Sequence, residues 1–273
     1  MVTVAEVIGV FDRLYPPELA EGWDAVGLVC GEPEAPVRQV YFCVDVVAGT
    51  VDEALAWGAD LLVAHHPLML RGVTAIPTTT PKGQTLHRLI RAGAALFVAH
   101  TNADAADPGV SDALAATLDL QDLRPLHPNA GNPRTGIGRI GTLREPITLA
   151  ELARRVADAL PVTPGGVRVA GEPQKLIRTV AVSGGAGDGY LADATQAGVD
   201  AFLTADLRHH PASEHTEAGG PALLDAAHWA TEQPWLAQAA AALTTALAPA
   251  TVEILVSELV TDPWTSAVVH QCV

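Results

Sequence analysis

The chain has 273 residues, is 49% hydrophobic and 17% charged, and carries 31 acidic against 16 basic residues, a formal net charge of −15. That length and apolar fraction supply a core for one large α/β domain or two small ones, and exclude a disordered polyelectrolyte. The acidic excess argues against a general nucleic-acid binder, which needs a basic face for phosphates, and against docking on anionic membranes.

The N-terminal stretch MVTVAEVIGVFDRLYPPELAEGWD has Glu6 inside its apolar run and no basic segment before it, so it does not read as a signal peptide. Val4, Ile8, Phe11 and Leu14 recur at intervals of three and four, which predicts an amphipathic helix. Cys30, Cys43 and Cys272 are odd in number and contain no Cys-x-x-Cys pair. That pattern points away from a disulfide framework or a cysteine zinc site and toward a reducing cytoplasm.

One phrase then recurs four times: helix, small-residue turn, short apolar strand, polar cluster. It occupies residues 57–64 before His65-His66-Pro67, and 92–99 before His100-Thr101-Asn102-Ala103-Asp104. It returns at 197–204 before Ala205-Asp206-Leu207-Arg208-His209-His210, and at 218–225 before Ala226-Ala227-His228. The glycine in each copy suits a helix C-terminus, where a left-handed conformation costs other residues more. Continuous apolar strands between helices predict sheets covered on both faces. The polar clusters then fall at strand carboxyl ends, where open α/β sheets bind ligands. Ordinary strand-to-helix loops are polar as well, but a histidine in all four favours a site.

Residues 136–143 and 176–182 read as strands and 149–160 as a helix, which predicts a second α/β lobe. Pro/Gly-rich stretches lie at 125–138 and 161–173. The expected division is residues 1–127 plus 221–273 as a metal-ligand lobe and 128–220 as the second lobe. The Ala-rich stretch 237–248 is broken by Gln238, Thr244 and Thr245 and reads as a soluble helix. No run reaches about 18 apolar residues, so no membrane span is expected.

Three clusters carry candidate chemistry. In His65-His66-Pro67, adjacent strand residues point to opposite faces, so both imidazoles serve one site only where the strand has ended. Pro67 favours such an extended or turned exit at His66. Asp104 reads either as a helix N-cap or as a metal ligand with His100 as its partner. His228 and Glu232, spaced i, i+4 on a helix, share one face and either converge on a cation or form a solvated pair. Together, His65, His66, Asp104, His228 and Glu232 supply three nitrogens and two carboxylates without sulfur. That set suits two divalent ions of zinc, manganese, iron or cobalt; if Glu232 bridges, each ion gets three protein bonds and keeps open positions for water and substrate. The Ser183-Gly184-Gly185-Ala186-Gly187 segment reads as a tight turn or an anion-binding loop. Asp206, His209 and His210 either line the same cavity or begin a surface helix. The sequence contains neither His-Glu-x-x-His nor Gly-x-Ser-x-Gly.

The ordered set Gly22-Trp23-Asp24-Ala25-Val26-Gly27-Leu28, Ala64-His65-His66-Pro67-Leu68, His100-Thr101-Asn102-Ala103-Asp104, Asp206-Leu207-Arg208-His209-His210 and His228-Trp229-Ala230-Thr231-Glu232 resembles the GTP cyclohydrolase I type 2-like family, also called NGG-interacting-factor-three-like. The likeness spans about residues 4 to 260. It implies two interlinked α/β lobes with mixed sheets flanked by helices, a dinuclear metal site at the strand carboxyl ends between the lobes, and ring-shaped homohexamers built from dimers. It further implies that His66 and Asp104 bind one metal, that His65 and His228 bind the other, and that Glu232 bridges. Ala25, Ala205 and Ala227 stand where the family usually has Asn, Gly and Gly; none of these departures removes a ligand. The interval between His127 and Gly184 is too short for the inserted domain of longer members.

The resulting expectation is a cytoplasmic, metal-dependent hydrolase in which a metal-activated water acts on a small molecule, with nucleotides such as GTP as the class the resemblance implies. Glu232 and His100 are the candidate catalytic residues, His100 holding or relaying a proton. The competing expectation is a metal-binding scaffold, metallochaperone or regulatory protein without turnover.

Overall fold

The structure is a computed structural model and describes residues 1–268; Cys272 lies outside the described residues. The chain divides into two compact units, Met1–Ala106 with Leu236–Thr261, and Asp107–Trp235 with residues 262–268. In chain order the first unit runs α1 (Val4–Leu14), β1 (Gly27–Cys30), β2 (Gln39–Cys43), α2 (Ala48–Trp57), β3 (Leu61–Ala64), α3 (Pro81–Ala92), β4 (Ala95–Val98) and α4 (Thr101–Ala105). The second runs α5 (Val110–Thr117), β5 (Gln121–Asn129), β6 (Asn132–Thr148), α6 (Leu149–Ala159), β7 (Arg168–Ala170), β8 (Leu176–Ala186), α7 (Leu191–Ala197), β9 (Ala201–Ala205), α8 (His209–Glu217) and β10 (Ala222–Ala226). Helix α9 (His228–Leu247) begins in the second unit, and β11 (Glu253–Val256) belongs to the first.

Each unit has one mixed sheet flanked by helices, the α/β architecture expected from the alternation of elements. The first is ordered β1-β4-β3-β2-β11, parallel except where β1 pairs with β4. The second is ordered β5-β6-β8-β9-β10-β7, with β8, β9 and β10 parallel and the remaining pairs antiparallel. The expected boundaries at 127 and 221 fall inside the second unit, because β5 and β10 both pair into its sheet.

The four repeated phrases are β3, β4, β9 and β10, each strand buried along its length. Their glycines, Gly58, Gly93, Gly198 and Gly219, all have positive φ, between 66° and 91°. Parallel strands buried on both faces need apolar residues at every position, which is why these segments lack alternation.

Helix α1 starts with a capping box in which Thr3 and Glu6 satisfy each other's backbone N–H groups. Phe11 anchors it in the core at 6.1 Å from the ring of Phe42 and 5.4 Å from that of Phe97. Burying one such ring contributes about 1.5–3 kcal/mol. The buried face carries Val4, Val7, Val10 and Phe11, whereas Ile8 and Leu14 flank it half-buried. The expected stripe is therefore turned toward residues 7 and 10, since Phe11 fixes the helix's rotation.

The two units share a plan that the sequence reading did not isolate. The Asp60 carboxylate accepts from the N–H groups of Arg38 and Gln39, at 2.7 and 3.1 Å, where β2 begins. Asp200 accepts from Arg178 and Thr179, at 2.9 and 2.8 Å, near the start of β8. Asp60 N–H donates to Gln39 O at 2.9 Å, and Asp200 N–H to Thr179 O at 3.0 Å. Thr3 caps α1 and Thr148 caps α6 by the same bond to a glutamate N–H three residues on. Counted from these bonds, Gln39 corresponds to Thr179 and Phe42 to Val182; between Val182 and Ala186 the register of β8 against β9 shifts, and the correspondence ends there.

Candidate metal centre

In the first unit, the polar cluster sits just past the carboxyl ends of β3 and β4. His65 N–H donates to Cys43 O at 3.1 Å and His66 N–H to Val44 O at 2.8 Å. Consecutive N–H groups bonding to the same neighbouring strand depart from a ladder's alternation, so the pleat has ended here. Both imidazoles therefore reach one side, with ring centroids 5.0 Å apart. His100, which precedes α4, joins them at 5.2 Å from His65 and 5.5 Å from His66. One ring nitrogen from each of His65, His66 and His100 lies within 4.8 Å of the others. Asp104 is inside α4 and is not its N-cap; its Oδ1 lies 3.7 Å from His65 Nε2.

Each ring is oriented from behind. His65 Nδ1 donates to Ala99 O at 2.9 Å, His66 Nδ1 to Asp45 Oδ1 at 2.7 Å, and His100 Nδ1 to Asp24 Oδ1 at 2.9 Å. A carbonyl or carboxylate has no proton to give, so Nδ1 carries the hydrogen and Nε2 the lone pair. Asp24 is buried, which raises its pKa, but hydrogen bonds from His100 and Thr101 outweigh burial and hold the carboxyl below the ordinary range. Asn102 fastens the turn, accepting from His100 N–H at 2.9 Å and donating to Tyr15 O at 2.7 Å.

In the second unit, α9 starts at His228, and the predicted i, i+4 pair forms: His228 Nε2 lies 3.0 Å from Glu232 Oε1. Glu232 is buried at 3% exposure. Asp206, in the loop after β9, accepts from His228 Nδ1 at 2.7 Å. It therefore orients a ring in the same manner as Asp24 and Asp45. The Ser183–Gly187 segment is not a free turn. Ser183 to Ala186 complete β8, and Gly185 sits at φ +65° against the pair. A Cβ there would lie 2.4 Å from Glu232 Oε1 and 3.0 Å from His228 Nε2. Gly185 is pinned by a bond from its N–H to Thr231 Oγ1 at 2.9 Å and one from Thr204 Oγ1 to its carbonyl at 3.0 Å. His209 and His210 begin α8 as exposed rings 5.1 Å apart.

Imidazole nitrogens and carboxylate oxygens on rings fastened through Nδ1 are the donor chemistry that borderline divalent metals take. The sequence reading named His65, His66, His100, Asp104, His228 and Glu232, but assigned no role to Asp45 or Asp24 and left Asp206 unresolved. The acidic residue behind each of His66, His100 and His228 comes from a distant segment, so spacing carries no signal for it.

Two α/β units, the first with His65, His66 and His100 clustered past the ends of its parallel strands and the second with the His228–Glu232 pair, define a protein with residues that could hold a metal ion. The chain belongs to the Duf34/NIF3 (NGG1p interacting factor 3) family, which matches residues 2–263. It is 55% identical over 272 residues to a Streptomyces coelicolor protein named "GTP cyclohydrolase 1 type 2 homolog", covering 98% of this chain and 95% of that one. A Mycobacterium tuberculosis protein of the same name is 37% identical over 370 aligned positions, covering 96% and 97%. An alignment longer than this chain means that the relative carries residues without a counterpart here. Among solved structures, "The Crystal Structure of Bacillus cereus protein related to NIF3" superposes with a TM-score of 0.91 at 26% identity, covering 98% and 99%.

Proposed function

We propose that the protein is a dinuclear metal-dependent hydrolase acting on a nucleotide, with His65, His66, Asp104, His228 and Glu232 as protein ligands of two divalent cations and Glu232 as their bridge. The observation that supports this reading is the fastening of every candidate imidazole through Nδ1. Histidines that ligate through Nε2 characteristically donate their other N–H to a carboxylate or carbonyl. Here Ala99 O, Asp45 and Asp206 do so for His65, His66 and His228. Such partners fix the tautomer and raise the basicity of the ligating nitrogen. Nitrogen and oxygen donors without sulfur fit zinc, manganese, iron or cobalt.

When bound, a pair of such cations supplies Lewis-acid polarisation and a water acidified toward neutrality. The chain's own residues supply the geometry. His66 and Asp104 would hold one ion, and His65 and His228 the other. His100, braced at Nδ1 by Asp24, takes and returns a proton at Nε2. The relatives' names point to GTP as substrate, opened at the imidazole ring of its base. Among the described residues, no helix is long and apolar enough to cross a membrane. The reading extends to a cytoplasmic, ring-shaped homohexamer, which the measured mass in solution tests.

The deciding experiment is metal analysis of protein purified without chelator, alongside turnover assays on nucleotide, ester and phosphodiester panels. About two ions per chain and hydrolysis of a nucleotide are expected, with ions and activity lost together in Glu232→Ala and ions lost in His65→Ala. Hydrolysis that survives complete metal loss refutes the mechanism. Two ions with no turnover on any panel replace it with a metal-binding scaffold, metallochaperone or regulatory protein.

A further inference from the structure

Trp23 is 59% exposed, unusual for the largest apolar side chain, and lies beside the imidazole cluster of the first unit. Its ring centroid is 6.0 Å from that of His100, with the planes at 78°. A near-perpendicular contact occupies only part of the indole and leaves most of it in water.

The segment that carries Trp23 is firmly held. Asp24 Oδ2 accepts from Thr101 N–H at 3.0 Å and from the Thr101 hydroxyl. Glu21 N–H donates to Thr101 Oγ1 at 2.9 Å, Asp24 N–H to Glu21 O at 2.9 Å, and Ala25 N–H to Asp24 Oδ1 at 2.7 Å. Residues 21–25 are thus tied to the start of α4, whose neighbouring His100 is braced by the same Asp24. The bonds that orient His100 also hold the backbone on either side of Trp23. An aromatic side chain fixed at low entropic cost and left in water is suited to stacking on a planar ring.

We propose that Trp23 is the stacking platform for the substrate's heteroaromatic base, a purine, at the edge of the His65–His66–His100 cluster. The inference rests on the nucleotide reading above and adds to it the surface that distinguishes a nucleotide from a bare polyphosphate. A reaction at the base requires the base, not the phosphates, to lie against the ligating residues. Trp23 is one ring contact from His100, and His100 is one ring contact from both His65 and His66.

The test is equilibrium dialysis of metal-loaded protein with GTP and, separately, inorganic triphosphate. Trp23→Ala is expected to weaken GTP binding roughly tenfold or more, the range of one base–aromatic stack, and to leave triphosphate binding and metal content unchanged. Trp23→Phe is expected to retain most of the GTP affinity, and Trp23→Leu to behave like Trp23→Ala. An equal loss for both ligands, or unchanged GTP affinity in Trp23→Ala, overturns the proposal. So does a change of mass in solution with GTP affinity intact, which assigns Trp23 to contacts between copies. Trp23-dependent GTP binding without hydrolysis upholds the platform and removes the hydrolase. Wild-type protein that holds two metals but binds no GTP removes the platform and leaves the metal centre standing.

Discussion

Gly185→Ala puts the His228–Glu232 pair of the second unit under a defined strain. Gly185 has φ +65°, where an L-residue costs about 1–2 kcal/mol. The added Cβ would stand 2.4 Å from Glu232 Oε1, against an ordinary carbon–oxygen approach of about 3.3 Å. The Glu232 carboxylate, buried at 3% exposure, must therefore give way by roughly 0.9 Å. Metal–ligand distances tolerate about 0.2 Å. Metal affinity should consequently fall by at least the roughly 10–100-fold seen when a ligand's support is removed. The left-handed cost alone should lower Tm by about 2–8 °C for units of this size. Gly198→Ala provides the reference, because Gly198 has φ +66° with no atom within 4 Å of the added carbon. It should show a similar Tm loss and full metal content. Competition against a chromogenic chelator, run beside thermal unfolding of both variants, reads the two effects separately. Equal metal affinity in Gly185→Ala and Gly198→Ala would refute the placement of Glu232 as a ligand.

Two further outcomes follow from the hydrogen bonds. Asp45→Asn and Asp206→Asn each replace the carboxylate behind an imidazole with a neutral amide, and should weaken metal binding about 10–100-fold while leaving far-UV circular dichroism unchanged; undiminished affinity in both would remove the significance given to the Nδ1 bonds. Asp200 is partly buried, which raises its pKa, but N–H bonds from Thr179 and Arg178 outweigh burial and depress it. A depressed carboxyl contributes stability above the unfolded-state value of about 3.9 and loses that contribution as pH falls through the folded value. The Tm deficit of Asp200→Asn should therefore be a few degrees at pH 7 and shrink by about pH 3; an equal deficit at both would show that its bonds do not depend on charge.

The four recurrent phrases were legible because glycine at a left-handed helix end and an unbroken apolar run are local facts. Gly58, Gly93, Gly198 and Gly219 needed no partner to be read, and β3, β4, β9 and β10 followed from them. The i, i+4 pair of His228 and Glu232 was legible for the same reason. What stayed hidden depends on pairs distant in sequence. Asp24 and His100 are 76 residues apart, and Asp45 and His66 are 21 apart. Gly185 looked like a turn because its close approach to Glu232 depends on how β8 and α9 pack. The shared plan of the units, by contrast, was partly visible: Gly31-Glu32-Pro33 and Gly171-Glu172-Pro173 are identical, and Thr3 and Thr148 each stand three residues before a capped glutamate.

That shared plan also bears on how the ligands are divided. Asp45 lies just past the end of β2 and Gly185 within the end of its counterpart β8, beyond the point where the register of β8 shifts; one carries a carboxylate and the other no side chain at all. The first unit uses its place to brace an imidazole: Asp45 stands behind His66. The second leaves the place empty of side chain because the Glu232 carboxylate occupies that space, and His228 takes its brace from Asp206 instead. The end of β2 thus serves a ring that needs support, and the bulged end of β8 a carboxylate that needs room. An Asp at position 185 would set two carboxylates against each other in a buried space, a costly arrangement unless a cation separates them. Glycine at 185 lets Glu232 approach the bridging position proposed for it with His228 Nε2 only 3.0 Å away.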